Sequence, residues 1–248
     1  MKKHLKILVF ITSIVIVFFI YKSFEHKQGK INYIALGDSV AEGMNPYGNV
    51  GYGYPDYISD YLKNNDQLSF YTKGFTKSGY TTENVKNDIE NNKTITVDGS
   101  KISIKEALRE SDLVTISIGA NDFIKGLSLS NFSEKLENIK NSKKEIDQIG
   151  MKVRDLVTLI KGYAKNQIIL VGYYNPLPRL TTIKTEIDEL IKYSNNIYED
   201  ICDDLDIVCV NIFDIFDENE KLLPNPLDIH PNIKGYEKIA DEIIRKIN

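Results

Sequence analysis

The sequence predicts an α/β domain: a parallel sheet covered by helices on both faces. Two observations carry this. Short apolar runs recur at 33–36, 68–71, 113–118, 168–171 and 207–210, each of the kind a strand shows when both its faces are buried. Longer segments of helical periodicity lie between and after them, at 54–63, 82–90, 103–109, 132–163, 183–205 and 233–247. Strands alternating with helices of this length pair in parallel, because each crossover returns the chain to the same edge.

The individual elements follow from local chemistry. Ser103-Ile104-Lys105-Glu106 reads as a capping box at a helix start. Asp98-Gly99, between Thr94-Ile95-Thr96-Val97 and Lys101-Ile102, fits a small hairpin or a plain loop. No repeat, low-complexity stretch or Pro/Gly/Ser linker interrupts 30–248, so this span is read as one domain. Hydrophobic residues at 42% and charged residues at 27% exclude general disorder. The net charge of −4, from 31 Lys+Arg against 35 Asp+Glu, comes with no basic stripe, which argues against a nucleic-acid partner.

The first 29 residues read as a segment apart. Lys2, Lys3 and Lys6 precede an uncharged run from Ile7 to Tyr21, and Lys22 to Lys30 forms a short polar tether. No A-x-A-like site follows the run, which favours a single-pass membrane anchor with the domain outside. A signal peptide cut near Ser23, giving a secreted protein, is the alternative. Cys202 falls in a helical pattern and Cys209 in an apolar strand; two buried thiols and a disulfide both fit.

The domain contains one histidine, His230, since His4 and His26 lie in the first segment. Any histidine base must therefore be His230, and a site needing two histidines is excluded. Asp228-Ile229-His230-Pro231-Asn232 stands on the loop entering the last helix, with a carboxylate close enough to hold an imidazole in one tautomer. Three further signals also follow predicted strands. Gly37-Asp38-Ser39 places a hydroxyl at the end of the first, where a positioned base would make it a nucleophile. Gly79, after the second, offers a backbone N–H with no side chain in the way. Asn121 in Gly119-Ala120-Asn121-Asp122, after the third, offers a neutral donor to an oxyanion. Each of these also fits an ordinary turn. Together they supply a nucleophile, two oxyanion donors and a base, the set that acyl transfer requires.

This set resembles the SGNH-hydrolase superfamily (GDSL-like lipases and acylhydrolases), whose motif blocks match Gly37-Asp38-Ser39, Gly79, Gly119-x-Asn121-Asp122 and Asp228-x-His230-Pro231 in order. The resemblance implies a flavodoxin-like three-layer α/β/α sandwich with a central parallel sheet of about five strands. It implies Ser39 as nucleophile, His230 as base and Asp228 as orienting acid. The oxyanion hole would be the Ser39 and Gly79 N–H groups and the Asn121 side chain, with no metal or organic cofactor. Tyr173-Tyr174-Asn175-Pro176 looks like the loop that lines the pocket in bacterial members. The family's usual acid position, three residues before the histidine, holds Leu227 here. A Ser39–His230 dyad supported by a backbone carbonyl therefore stands beside the triad, and Asp228→Asn is expected to lower kcat much less than His230→Ala.

The expected activity is hydrolysis of carboxylic esters through an acyl-serine intermediate at the cell envelope. The substrate would be a small-molecule, lipid or polysaccharide ester. The alternatives are a carbohydrate or peptidoglycan O-acetylesterase and a non-catalytic envelope-binding module; the module would show a damaged Ser, Asn or His. A metallophosphoesterase needs several histidine ligands. Gly48-x-x-Gly51-x-Gly53 has the wrong spacing for a dinucleotide loop, and reads as a pocket rim or as a surface cluster around Tyr47, Tyr52 and Tyr54. The absence of a long hydrophobic lid segment leans toward short acyl chains.

Overall fold

All five apolar runs are strands of one parallel sheet in a computed structural model of the chain, which describes residues 29–124, 139–179, 182–217 and 220–247. The strands in chain order are β1 (Ile31–Gly37), β2 (Leu68–Thr76), β3 (Thr94–Val97), β4 (Ser100–Ser103), β5 (Leu113–Ser117), β6 (Gln167–Val171) and β7 (Val208–Val210). The sheet order is β2-β1-β5-β6-β7, the flavodoxin-like arrangement, while β3 and β4 make a separate antiparallel pair. The helices are α1 (Ser39–Glu42), α2 (Tyr54–Asn64), α3 (Thr82–Glu90), α4 (Ile104–Arg109), α5 (Ala120–Ile124), α6 (Ile139–Lys161), α7 (Lys184–Leu205), α8 (Phe213–Asp217) and α9 (Ile233–Ile244). The anchor or signal segment expected at the N-terminus lies outside the described residues. No described helix is long and apolar enough to cross a membrane.

Period-2 side-chain alternation explains the continuous apolar runs, because each face of a strand meets its own helix layer. Ile34 and Leu36 of β1, Val114 and Ile116 of β5, and Ile168 and Leu170 of β6 pack with α3, α4, α6 and α7. Tyr33 and Ala35, Leu113, and Ile169 and Val171 point the other way, onto α2 and α9. Fully burying one Ile or Leu side chain contributes about 1.5–3 kcal/mol, so both faces drive folding. Buried sites for both layers are what make this a three-layer sandwich.

β2 runs to Thr76, past the end of the apolar run at Tyr71, as an edge strand whose register against β1 shifts between Ile34 and Leu36. Asp98 and Gly99 both have positive φ (49° and 81°), the type I′ geometry, so the hairpin forms. Ser103 caps α4 by accepting the Glu106 N–H at 3.3 Å. Cys202 near the end of α7 and Cys209 in β7 form a disulfide, resolving the two readings of the cysteines. In this strand order the chain leaves β1 first toward β2 and later toward β5. The carboxyl ends of β1 and β5 thus flank the switch point, where open parallel sheets bind ligands.

Candidate active site

Ser39 is delivered to the switch point by a tight exit from β1. Gly37 has φ of +134°, and a Cβ there would lie 2.0 Å from the Ser117 carbonyl oxygen of β5. Only glycine allows the two strands to approach so closely. The next N–H, of Asp38, donates to that same carbonyl at 3.0 Å. The Asp38 carboxylate then accepts the Val40 N–H at 3.0 Å and caps α1, so Ser39 is the first helical residue. An N–H in that position has no carbonyl partner within its own helix.

Asp38 is 3% exposed. Burial pushes its carboxyl up, against the opposing effect of the Val40 N–H and with help from the Asp122 charge, to about 7. A carboxyl raised in the fold favours the protonated form there. Its contribution to stability is fully present below the unfolded value of 3.8 and is lost as pH rises through about 7. Asp38→Asn keeps the oxygen that caps Val40 and removes the titration. Thermal melts at pH 5 and pH 8 should therefore show a smaller alkaline loss of Tm for the Asp38→Asn variant than for wild type; parallel losses would refute this.

The His230 loop is fixed at every turn. Asn225 Oδ1 accepts the Leu227 N–H at 3.0 Å, and the Asn225 amide donates to the Pro46 carbonyl at 2.7 Å. The Tyr174 hydroxyl donates to the Ile229 carbonyl at 2.7 Å, and Asn232 caps α9 by accepting the Gly235 N–H at 3.0 Å. One oxygen of Asp228 accepts both the His230 backbone N–H and the Nδ1 side of its ring, each at 2.8 Å. His230 Nε2 lies 2.8 Å from Ser39 Oγ. A carboxylate two residues before an N–H closes an Asx turn, which is why the short spacing reaches the ring. Leu227, at the family's usual acid position, is 93% exposed and has no carboxylate to offer the ring.

Gly79 occupies a tight turn closed by the Tyr80 N–H donating to the Lys77 carbonyl at 3.1 Å. Its φ of +79° suits glycine at the third position of a type II turn, and the closing bond leaves the Gly79 N–H unused. Contacts that no sequence pattern reveals pin this turn. The Lys77 N–H donates to the Gly37 carbonyl at 3.1 Å. Glu42 accepts from the Ser78 N–H at 2.6 Å and also from its hydroxyl. The Asn121 amide donates to the Tyr80 carbonyl at 2.9 Å. Asp122 accepts the Thr82 N–H at 2.8 Å and hydroxyl at 2.7 Å. Apart from Gly37, every partner sits in α1 or α5, the helices that directly follow β1 and β5, so Ser39, Gly79 and Asn121 belong to one hydrogen-bonded unit. Gly119, with φ of +106°, leaves room for the Tyr173 and Tyr198 hydroxyls, which lie within hydrogen-bonding distance of each other and of the Ile118 carbonyl, so their two protons are shared among these three contacts.

A cavity of about 490 Å³ opens beside Ser39. Asn121, Tyr173, Tyr174 and Pro176 line it together with apolar side chains of α6 and α7, while Asn175 is buried beneath and donates to Asp188 at 2.6 Å. Tyr47 and Tyr52 stay exposed at the surface and Tyr54 is core, so the Gly48–Gly53 loop does not line this cavity.

Fold and site together define an α/β enzyme of the acyl-transfer class. The chain belongs to the GDSL-like lipase/acylhydrolase family, whose profile matches residues 35–238, and is a carboxylic ester hydrolase of the SGNH superfamily. Solved structures share the fold. The lipase Lip_vut3 from a goat rumen metagenome is 19% identical, with a TM-score of 0.68 over 86% of this chain and 95% of its own. Axe2, an acetylxylan esterase from Geobacillus stearothermophilus, is 22% identical, with a TM-score of 0.59 over 89% and 95%. No curated protein matches the sequence significantly.

Proposed function

We propose that this hydrolase cleaves carboxylic esters through an acyl-serine intermediate. His230 takes the Ser39 proton as Oγ attacks the ester carbonyl, and Asp228 stabilises the imidazolium that results. The oxyanion is held by the Ser39 and Gly79 N–H groups and by the second N–H of the Asn121 amide. His230 then protonates the leaving alcohol, and water repeats the sequence to release the acid. The observation that carries this reading is the relay from Asp228 through His230 to Ser39, each link 2.8 Å long. Hydrolysis of p-nitrophenyl butyrate by the full chain, with Ser39→Ala as control, tests it; equal rates for the two proteins would defeat it.

Asn121→Ala removes one oxyanion donor and is expected to lower kcat about 100- to 1000-fold. Because Asp122 still ties the Thr82 end of the turn, the variant should keep its Tm within a few degrees. A near-normal kcat would take Asn121 out of the site.

The domain is read as acting at the cell envelope, held by the N-terminal segment or secreted after its removal. The basic-then-apolar order of that segment supports export, as does a disulfide of the kind that persists in oxidising compartments. Protease accessibility of the domain in intact cells checks this. O-acetyl groups on carbohydrate are the second reading, since Axe2 carries the same fold.

A further inference from the structure

The cavity beside Ser39 has a chemistry that selects among esters. It passes the carboxyl ends of β5 and β6 and enters between α6 and α7, where Ile146, Ile149, Ile187 and Leu190 line it. Asp38 is the one charged side chain among its described lining residues. The polar groups deeper in are already engaged: the Ser194 hydroxyl donates to the Leu190 carbonyl at 2.9 Å, and the Tyr173 and Tyr198 hydroxyls serve the Ile118 carbonyl. Among the described residues Ser117 Oγ is the buried lining hydroxyl without a partner, and the rest of the wall is almost entirely apolar, so the interior would leave most hydroxyls of a sugar desolvated and unpaired. Two lining residues are exposed as well, Leu227 at 93% and Ile124 at 41%, so the mouth is apolar too.

Size points the same way. At about 30 Å³ per water-sized group, 490 Å³ holds roughly sixteen such groups. An acetyl ester would place a single methyl in that space. Protein interiors are otherwise close-packed, so a void of this size next to a reactive hydroxyl is shaped for an occupant.

We propose that the acyl side of the substrate is a linear fatty acyl chain, on the order of 8 to 14 carbons, seated in this cavity. The inference rests on Ser39 as the nucleophile. The Ser39 Oγ–acyl carbon bond forms as the ester C–O bond breaks, the serine proton leaves on the alcohol through His230, and water then releases the free fatty acid. Structural neighbours include an acetylxylan esterase, so the cavity sets this chain's preference apart from its fold.

The experiment has two arms on the full chain. On p-nitrophenyl esters from acetate to palmitate, kcat/KM should climb about fourfold per added methylene until the cavity is full, with an optimum between roughly C8 and C14. Leu190→Trp, which fills the space, should move that optimum to shorter chains. In the second arm, dodecanoate should bind the Ser39→Ala variant in calorimetry, which keeps the test independent of whether the Leu190→Trp variant folds. An acetate optimum together with no dodecanoate binding would overturn the fatty acyl assignment while leaving the serine mechanism intact. Dodecanoate binding without Ser39-dependent hydrolysis of any ester would instead overturn the mechanism and support the cavity assignment.

Discussion

His230→Ala and Ser39→Ala are each expected to hydrolyse p-nitrophenyl butyrate on the order of 10⁶-fold more slowly than wild type in kcat. The two side chains act as one unit: an unassisted serine hydroxyl is a weak nucleophile, and Ser39 Oγ is the group that His230 Nε2 meets, at 2.8 Å. Their contributions therefore do not add, and the double variant should be no slower than either single one by more than a few-fold. Residual catalysis would come from Gly79, Asn121 and the cavity, which none of these changes touches. Ser39 is buried at the head of α1 and His230 sits in a loop fixed by Asn225, Tyr174 and Asn232, so neither truncation should unfold the domain. Thermal melts of all three variants check that the loss is chemical. A His230→Ala rate within tenfold of wild type would remove the imidazole from the reaction.

The core of the fold was legible because a parallel strand buried on both faces is written as an unbroken apolar run. Ile168, Ile169, Leu170 and Val171 show it in β6, where no polar residue breaks the sequence of four. β2 reads short for the same reason: Lys73 and Gly74 interrupt its run, yet the edge strand continues, with Lys73 Nζ donating to the Gly51 carbonyl at 2.7 Å. The short helices α1, α5 and α8 leave no periodic signal, since four or five residues span little more than one turn. Asp38 and Asn121 look the same in sequence whether they end a strand in a loop or open a helix.

The site was legible as four separate blocks because each follows a strand, and parallel topology gathers strand ends. What joins the blocks was not. Glu42 with Ser78, Asn121 with Tyr80 and Asp122 with Thr82 are contacts between segments 36 to 41 residues apart, and no local pattern encodes them. The cavity was hidden for a different reason. Ile146, Ile187 and Leu190 satisfy helical periodicity as core residues would, and a side chain that faces a cavity reads the same as one that faces another side chain.

Asp228 is where the two levels of description meet, and it yields the second large effect. Asp228→Ala should lower kcat on the order of 10⁴-fold, because the ring loses the partner that fixes its tautomer and stabilises the imidazolium. Asp228→Asn should lose far less. The oxygen that faces the ring also accepts the His230 backbone N–H at 2.8 Å, so an asparagine must present its carbonyl oxygen there, since its amide would meet a donor. The Nδ1–H tautomer survives, Nε2 stays free to accept the Ser39 proton, and only the carboxylate's charge is lost. A charged hydrogen bond exceeds a neutral one by about 1–2 kcal/mol, which converts to a drop of roughly 5- to 30-fold in kcat. Steady-state kinetics of both variants on p-nitrophenyl butyrate decides the point. An alanine variant as active as the asparagine one would mean that Asp228 only shapes the loop, leaving a Ser39–His230 dyad; an asparagine variant as impaired as alanine would mean that the Asx turn does not set the amide's orientation.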